Sequence, residues 1–136
     1  MKTIDLRGLE LLEVWSKADP TERVSFTFPI NAESGATRAS VAYAELAPGG
    51  AIPAHFDSAN EVVLVLEGTT EFEFDGSTET VDPGKLVQIA AGSKHRVRNT
   101  GDQTAQLLFF FDEAADIVTF DEPLMPLDLA VIGGSA

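Results

Sequence analysis

Hydrophobic residues along this chain fall in short segments that Gly, Pro, Asn and Asp separate, a pattern typical of an all-β sandwich or barrel. In Glu71–Phe74, phenylalanine alternates with glutamate, as in a strand with one face in the core. Val62–Leu66 is apolar at every position, which indicates a strand covered on both faces. Hairpin turns are predicted at 75–76 and 99–102. The predicted strands are Val24–Phe28, Arg38–Leu46, Glu61–Leu66, Thr70–Phe74, Thr78–Val81, Leu86–Ile89, His95–Asn99 and Thr104–Phe111.

Both ends of the chain carry further apolar residues. Leu9, Leu12 and Trp15 are spaced so that they would share one face of a helix, so a short helix or turn is predicted over Leu9–Lys17. The segment 112–136 is too apolar for a free tail, and we expect it to pack on its own barrel or on a second copy of the chain. We therefore predict a homodimer.

Length, charge and the lack of cysteine restrict the classes of function. The chain has 136 residues, enough for a single domain over 1–136. Its 9 basic and 22 acidic side chains give a net charge of −13, which argues against nucleic-acid and membrane partners. With no cysteine, disulfides and thiolate metal sites are excluded. No signal-peptide core is apparent, so we expect a cytoplasmic protein that acts on a small molecule.

The chain has only two histidines, His55 and His95, and carboxylates lie close to the first of them. His55, Asp57 and Glu61 have the same parity along an extended chain. A straight strand would hold His55 and Glu61 about 20 Å apart, but the polar stretch Ser58–Asn60 lets the chain fold back. A later strand could bring in His95. Two imidazoles and one or two carboxylates that converge inside a barrel form a divalent-metal site.

The segments around both histidines resemble the two motifs of the cupin superfamily. The first motif is Gly, five residues, His-x-His, three or four residues, Glu, six residues, Gly; here Asp57 holds the second histidine position. The second is Gly, five residues, Pro-x-Gly, two residues, His, three residues, Asn; here Ala90 replaces proline. By motif the resemblance covers 49–99. The matching residues are Gly49, His55, Glu61, Gly68, Gly84, Gly92, His95 and Asn99.

This resemblance implies a small single-domain jelly-roll β-barrel that binds one divalent ion. The family's metal ligands correspond to His55, Glu61 and His95. Asp57 stands at the fourth ligand position but differs in type, so three roles are open for it: a ligand, a carboxylate outside the coordination sphere, or a base or orienting residue. Iron(II) or manganese suits this donor set best, and zinc or nickel stays open.

Strand parity also nominates residues around the site. If Glu61 points into the barrel, Val63 and Val65 do so as well. Tyr43, the only tyrosine, could serve as a hydrogen-bond donor or acid beside a bound substrate, or its hydroxyl could lie at the edge of the core. Gln88 interrupts an apolar strand and points either at the ligand or out from a sheet edge.

These observations predict a divalent-metal-dependent enzyme that acts on a small organic molecule, with Asp57 and Tyr43 as catalytic candidates. The ion would either bind oxygen and substrate, as in a dioxygenase, or act as a Lewis acid in an isomerase, cyclase or lyase reaction. The alternative is a non-catalytic cupin that binds a small molecule and in which the metal is structural or absent. The sequence does not distinguish these classes.

Overall fold

The computed structural model describes residues 1–133. In this range the chain forms antiparallel strands and two short 3-10 helices, Leu6–Gly8 and Ala32–Ser34. No helix within it is long and apolar enough to cross a membrane. The strands are β1 (Leu12–Ser16), β2 (Arg23–Ile30), β3 (Ser40–Leu46), β4 (Ala51–Asp57), β5 (Glu61–Glu67), β6 (Thr70–Phe74), β7 (Ser77–Val81), β8 (Leu86–Ile89), β9 (His95–Asn99), β10 (Ala105–Phe111), β11 (Ile117–Met125) and β12 (Leu129–Gly133).

The strands form one continuous sheet that curls into a jelly-roll β-barrel, so the predicted fold class is confirmed. Their order is β7-β6-β9-β4-β11-β1-β2-β3-β10-β5-β8, and β12 pairs with β11. β7 and β8, at the two ends of this order, are edge strands of the sheet. Because β7 and β8 follow each other in sequence, the short 82–85 connection joins the two edges, and the sheet is not closed between them.

The inner faces of the strands meet in one apolar core. Val63 and Val65 on β5 and Val97 on β9 have no exposed surface, which agrees with the alternation expected for a half-buried strand. The outer neighbours Val62 and Leu64 are only half-buried. The prediction that this strand is covered on both faces is therefore correct for the inner face and only partly correct for the outer one.

The predicted helix over Leu9–Lys17 is wrong. This part of the chain contains β1, which pairs with β2 and β11. Val14 and Ser16 are buried with the period of two that a strand requires, while Leu12 is 44% exposed. The helical spacing of the large apolar residues is thus overridden by pairing with two neighbouring strands. Trp15 instead lies on the sheet surface, where the Arg23 guanidinium covers its ring at 4.2 Å.

Three further strands, β4, β11 and β12, lie outside the predicted set. Pro53 falls within β4, at the point where the register with β9 shifts, and a bulge accommodates a residue without an N–H group. Strand β11 carries Pro123, which weakens a strand signal in the same way. Strands β11 and β12 place residues 117–133 in the same sheet as the other strands, and 134–136 lie outside the described residues.

Candidate metal centre

Four buried side chains converge inside the barrel: His55 and Asp57 from β4, Glu61 from the first position of β5, and His95 from the first position of β9. Each offers one ligand atom, and these atoms all lie within 4.8 Å of one another. Their exposed fractions are between 2% and 5%. The reversal over 58–60 between β4 and β5 removes the separation that a straight strand would impose. The structure therefore brings together all four residues that the sequence nominated as ligands.

The shortest contact in this group joins two atoms that bear lone pairs. His95 Nε2 lies 2.7 Å from Glu61 Oε1, and Asp57 Oδ2 lies 3.6 Å from His55 Nε2 and 3.8 Å from His95 Nε2. The two imidazole rings have centroids 4.2 Å apart. Repulsion between these donors is relieved only by a proton or a cation placed among them.

Main-chain carbonyls fix the orientation of both imidazoles. His55 Nδ1 lies 2.7 Å from the carbonyl oxygen of Pro53, and His95 Nδ1 lies 2.8 Å from that of Ser93. Because a carbonyl can only accept, Nδ1 carries a hydrogen in each ring, and Nε2 is the ring atom left to face the centre. The arrangement is the one that metal-binding histidines use, in which the second nitrogen donates to a carbonyl. Phe120 packs against the His55 ring at 5.1 Å.

The electrostatics of the group follow from its burial. Burial raises the pKa of Asp57, and a hydrogen bond with the Asp116 carboxyl and the charge of Glu61 raise it further. Burial, followed by the neighbouring His95, lowers the pKa of His55 to about 3, against the opposing effect of the Pro53 hydrogen bond. Among the residues described, no lysine or arginine forms an ion pair with these carboxyls. The centre thus groups carboxyl and imidazole side chains without a lysine or arginine paired to them among the described residues.

The residues present fit a divalent ion. Asp57 Oδ2 and Glu61 Oε1 are buried and have no hydrogen-bond donor, so a cation would supply the partner that they lack. Opposite ligands on an ion with bonds of about 2.2 Å lie about 4.4 Å apart, close to the span of this group. Two imidazoles and two carboxylates, without sulfur, suit manganese, iron, zinc or nickel.

One buried carboxylate next to the centre escaped the sequence analysis. Asp116 is 3% exposed, and its Oδ1 accepts hydrogen bonds from the Ala59 amide at 3.2 Å and from the Ser58 hydroxyl at 3.4 Å. It thereby fixes the reversal between Asp57 and Glu61. The only signal in the sequence is an acidic residue between Ala115 and Ile117, which is too weak to distinguish a buried carboxylate from an exposed one.

Tyr43, the second catalytic candidate, does not join this group. It lies on β3 between Ala42 and Ala44, which face the barrel interior, so its side chain projects from the opposite face. Its hydroxyl donates to Glu45 Oε2 at 2.8 Å. Burial and then this carboxylate raise the pKa of the Tyr43 phenol above its usual value. The structure thus places Tyr43 in a packing position apart from the four side chains.

A cleft of about 1160 Å³ opens between the edge strands β7 and β8 and reaches Glu61 and His95. Gln88, which is exposed on the edge strand β8, lies at its rim. The walls carry aromatic and aliphatic side chains, and hydroxyl and carboxylate groups line the entrance. The cleft is lined by Asn60, Glu61, Val62, Phe72, Phe74, Ser77, Thr78, Glu79, Val87, Gln88, Ile89, Ala90, Ser93, His95, Phe110, Phe111 and Asp112.

A second cavity, of about 60 Å³, borders three of the same four side chains. It is apolar except where His55, Asp57 and Glu61 face it, and Phe120 and Ile132 contribute to its walls. Glu61 therefore borders both spaces. The wide cleft alone has room for an organic molecule of more than a few atoms, so it is the candidate substrate site.

Comparison with known proteins agrees with this geometry. A family model described as a cupin domain matches residues 42–111, just over half of the chain. The chain belongs to the cupin family. The matched segment of this cupin contains all four candidate ligands, and it extends from β3 to β10.

Relatives of this cupin include bacterial proteins of polyketide synthesis. The polyketide synthase protein CurC of Streptomyces cyaneus is 33% identical over 82 residues, 60% of this chain and 53% of CurC. The chain spans about half the length of the curated relatives that it matches. The structure of the polyketide cyclase RemF from Streptomyces resistomycificus has a TM-score of 0.68 and 27% identity, over 82% of this chain and 78% of RemF.

More distant cupins resemble this chain in fold. A predicted oxalate decarboxylase from Thermotoga maritima has a TM-score of 0.72 at 17% identity, over 82% of this chain and 99% of that protein. At such identity the likeness shows the jelly-roll barrel alone, because one fold hosts many chemistries.

Proposed function

We propose that this cupin is a divalent-metal-dependent enzyme that catalyses a cyclase-type reaction on an uncharged, ring-containing molecule of polyketide type. The observation that carries the proposal is that two of the four candidate ligands, Glu61 and His95, line a wide cleft with aromatic walls. The similarity to CurC, a polyketide synthase protein, and to RemF, a polyketide cyclase, supports the class of substrate. The similarity to RemF also supports the class of reaction.

The lining of the cleft supports an uncharged substrate. No lysine or arginine lines it among the residues that the structure describes, so a substrate carboxylate or phosphate would find no counter-charge there. Glu79 and Asp112 at the entrance would repel such anions. Phe72, Phe74 and Phe111 offer apolar surface against which a planar ring system can pack.

Each side chain of the centre has a defined part in this proposal. A divalent ion, when bound, supplies a Lewis acid that polarises a carbonyl oxygen. His55 and His95 present their Nε2 atoms to the ion because their Nδ1 hydrogens are held by main-chain carbonyls. Of the three hypotheses for Asp57, the geometry favours a ligand role, because Oδ2 lies 3.6 and 3.8 Å from the two Nε2 atoms.

The metal requirement is tested by elemental analysis of protein purified without chelator and then reconstituted with Mn²⁺ or Fe²⁺. We expect about one equivalent of metal, lost in His95→Ala and kept in Phe56→Ala, a substitution on the outer face of β4. Failure of the wild-type protein to bind either ion would contradict the proposal and favour a non-catalytic binding protein.

The substrate class is tested with 2-naphthol, an uncharged ring compound whose fluorescence reports binding to the metal-loaded protein. We expect Phe74→Ala to weaken binding about fivefold and Phe56→Ala to leave it unchanged, because Phe74 lines the cleft and Phe56 does not. Oxalate, offered as the competing anion, should not displace the probe. Tighter binding of oxalate than of 2-naphthol would contradict the proposed substrate class.

A further inference from the structure

We propose that Asn60 and Asp112 form a positioning pair that holds Glu61 and His95 at the distance that metal binding requires. The inference rests on the proposed metal centre. Neither side chain belongs to the ligand group, and both lie at the rim of the cleft. The pair acts through the main chain of the two turns that carry the ligands.

The need for such a device follows from the order of the strands. Glu61 begins β5, which pairs with β10 and β8, whereas His95 begins β9, which pairs with β4 and β6. No ladder of main-chain hydrogen bonds joins β5 directly to β9. The 2.7 Å contact between Glu61 Oε1 and His95 Nε2 therefore depends on what connects the turns before these two strands.

Asn60 supplies that connection with both ends of its amide group. Its Nδ2 donates to Asp112 Oδ2 at 2.8 Å, and its Oδ1 accepts from the Ala91 amide at 2.9 Å. The main-chain N–H of Asn60 donates to Asp112 Oδ1 at 2.9 Å. In return, the main-chain N–H of Asp112 donates to the carbonyl of Asn60 at 3.2 Å. One side chain thus joins the β4–β5 turn, the β10–β11 loop and the β8–β9 turn.

The third of these segments orients His95. The β8–β9 turn contains Ser93, whose carbonyl oxygen accepts from His95 Nδ1, and Gly92, whose amide donates to the carbonyl of Asp57 at 2.9 Å. A shift of Ala91 away from Asn60 would move this carbonyl together with the imidazole that it holds. Preorganisation of ligands by their supporting groups typically changes metal affinity by 10–100-fold.

Because the Asn60 amide donates to the Asp112 carboxylate, the pair can be tested by exchanging the two side chains. N60D alone places two carboxylates face to face, and D112N alone places two amide groups with their N–H donors opposed. The double variant N60D/D112N restores every hydrogen bond, because the amide at position 112 then donates to the carboxylate at position 60. That carboxylate still accepts from the Ala91 amide.

The measurements are Co²⁺ affinity, the visible absorption spectrum of bound Co²⁺, and thermal unfolding of the metal-free protein. We expect each single variant to bind Co²⁺ about tenfold more weakly with an altered spectrum, and the double variant to lie within about twofold of the wild type. A purely structural role would lower the unfolding temperature and leave the spectrum of the bound ion unchanged. D128N, a substitution in an exposed ion pair with Lys17, is the matched control.

Wild-type affinity and spectrum in both single variants would overturn the proposal, as would a double variant that binds no better than the weaker single one. If N60D does not fold, comparison of D112N with the double variant still decides the matter. Failure of the wild-type protein itself to bind Co²⁺ would contradict the proposed metal centre as well as this inference. If the wild type binds Co²⁺ and the variants behave like it, only the positioning role fails, so the two outcomes are distinguishable.

Discussion

At the scale of single residues, the two imidazoles of the centre are oriented by groups with no side-chain chemistry of their own. The carbonyls of Pro53 and Ser93 each accept from an Nδ1 atom two residues further along the chain. Both rings are therefore oriented before an ion binds, so metal binding does not include the entropic cost of ordering them. His55 and His95 consequently present Nε2 to one point.

Metal binding should release a proton from Asp57. Because the pKa of Asp57 is raised, this carboxyl keeps its proton at pH 6, where an exposed aspartate has lost it. His55 is already neutral there because its pKa is lowered. Calorimetric titration with Mn²⁺ in two buffers of different ionisation enthalpy should show about one proton released per ion.

The control for this titration is the Asp57→Asn variant, which should bind Mn²⁺ more weakly and release no proton. By linkage, the metal-free folded protein holds a proton at Asp57 that the unfolded chain has lost above the usual aspartate pKa, whereas it lacks the proton that the unfolded chain holds at His55 below about pH 6.5. The two contributions oppose each other up to about pH 6.5, so stability should fall as the pH rises above that value, and Asp57→Asn should flatten the fall. A wild-type titration without proton release would contradict the raised pKa.

The sequence predicted the ligands more completely than the residues that support them. His55, Glu61 and His95 stand at fixed motif spacings, so they can be found without a structure. Asn60 and Asp112 act through hydrogen bonds between segments that are 52 positions apart, and such pairs leave no periodic signal in the chain. The motif also nominated a position for Asp57 without deciding its role.

At the scale of elements, turn geometry explains why one motif glycine is required. Gly68, between β5 and β6, has φ +85°, and a Cβ built there would lie 2.7 Å from Cα of Ala105. Gly76, in the β6–β7 hairpin, has φ +75° but nothing within 4 Å. Both positions favour glycine by conformation, and only the first also forbids a side chain by contact.

We expect Gly68→Ala to lower the free energy of unfolding by about 3 kcal/mol, because the left-handed backbone and the overlap with Ala105 both oppose it. Gly76→Ala should cost about 1 kcal/mol, from the backbone alone. Urea denaturation of the two variants beside the wild type measures the difference. Equal losses at the two positions would show that the contact with Ala105 relaxes at little cost.

The sequence predicts a strand where apolar and polar residues alternate within it. It fails to predict a strand whose conformation depends on pairing with adjacent strands. The bounds of β6, β8 and β9 are those that the sequence predicts. Strand β4 contains Pro53 at a bulge. Because proline within a segment argues against a central strand, the sequence does not predict β4, although β9 and β11 pair with it on both sides. In β1, the spacing of the large apolar residues agrees with a helix, and the segment forms a strand because it pairs with β2 and β11.

At the scale of the whole molecule, the net charge of −13 opposes compaction. Raising NaCl from about 0.01 M to about 0.15 M shortens the Debye length from roughly 30 Å to roughly 8 Å and screens this repulsion. The unfolding temperature of the metal-free protein should therefore rise with salt. KCl at equal ionic strength should act alike, and a fall in both salts would indicate that favourable ion pairs outweigh the repulsion.

The homodimer expected from the sequence remains a prediction. Apolar side chains such as Leu86, which is 67% exposed, and Phe110, which is 42% exposed, lie at the protein surface. Light scattering coupled to size-exclusion chromatography should give twice the mass of one chain at micromolar concentration. A mass equal to one chain over that concentration range would contradict the dimer.

Because both histidines of the chain meet at one point, the protein contains its own isotopic reporter. Labelling histidine alone with ¹⁵N would produce resonances only from His55 and His95, and every ring nitrogen observed would belong to the centre. The Nδ1 protons, held by the carbonyls of Pro53 and Ser93, should exchange slowly with solvent. A diamagnetic ion such as Zn²⁺ would then shift the two Nε2 signals far more than the two Nδ1 signals, so ligation could be followed atom by atom.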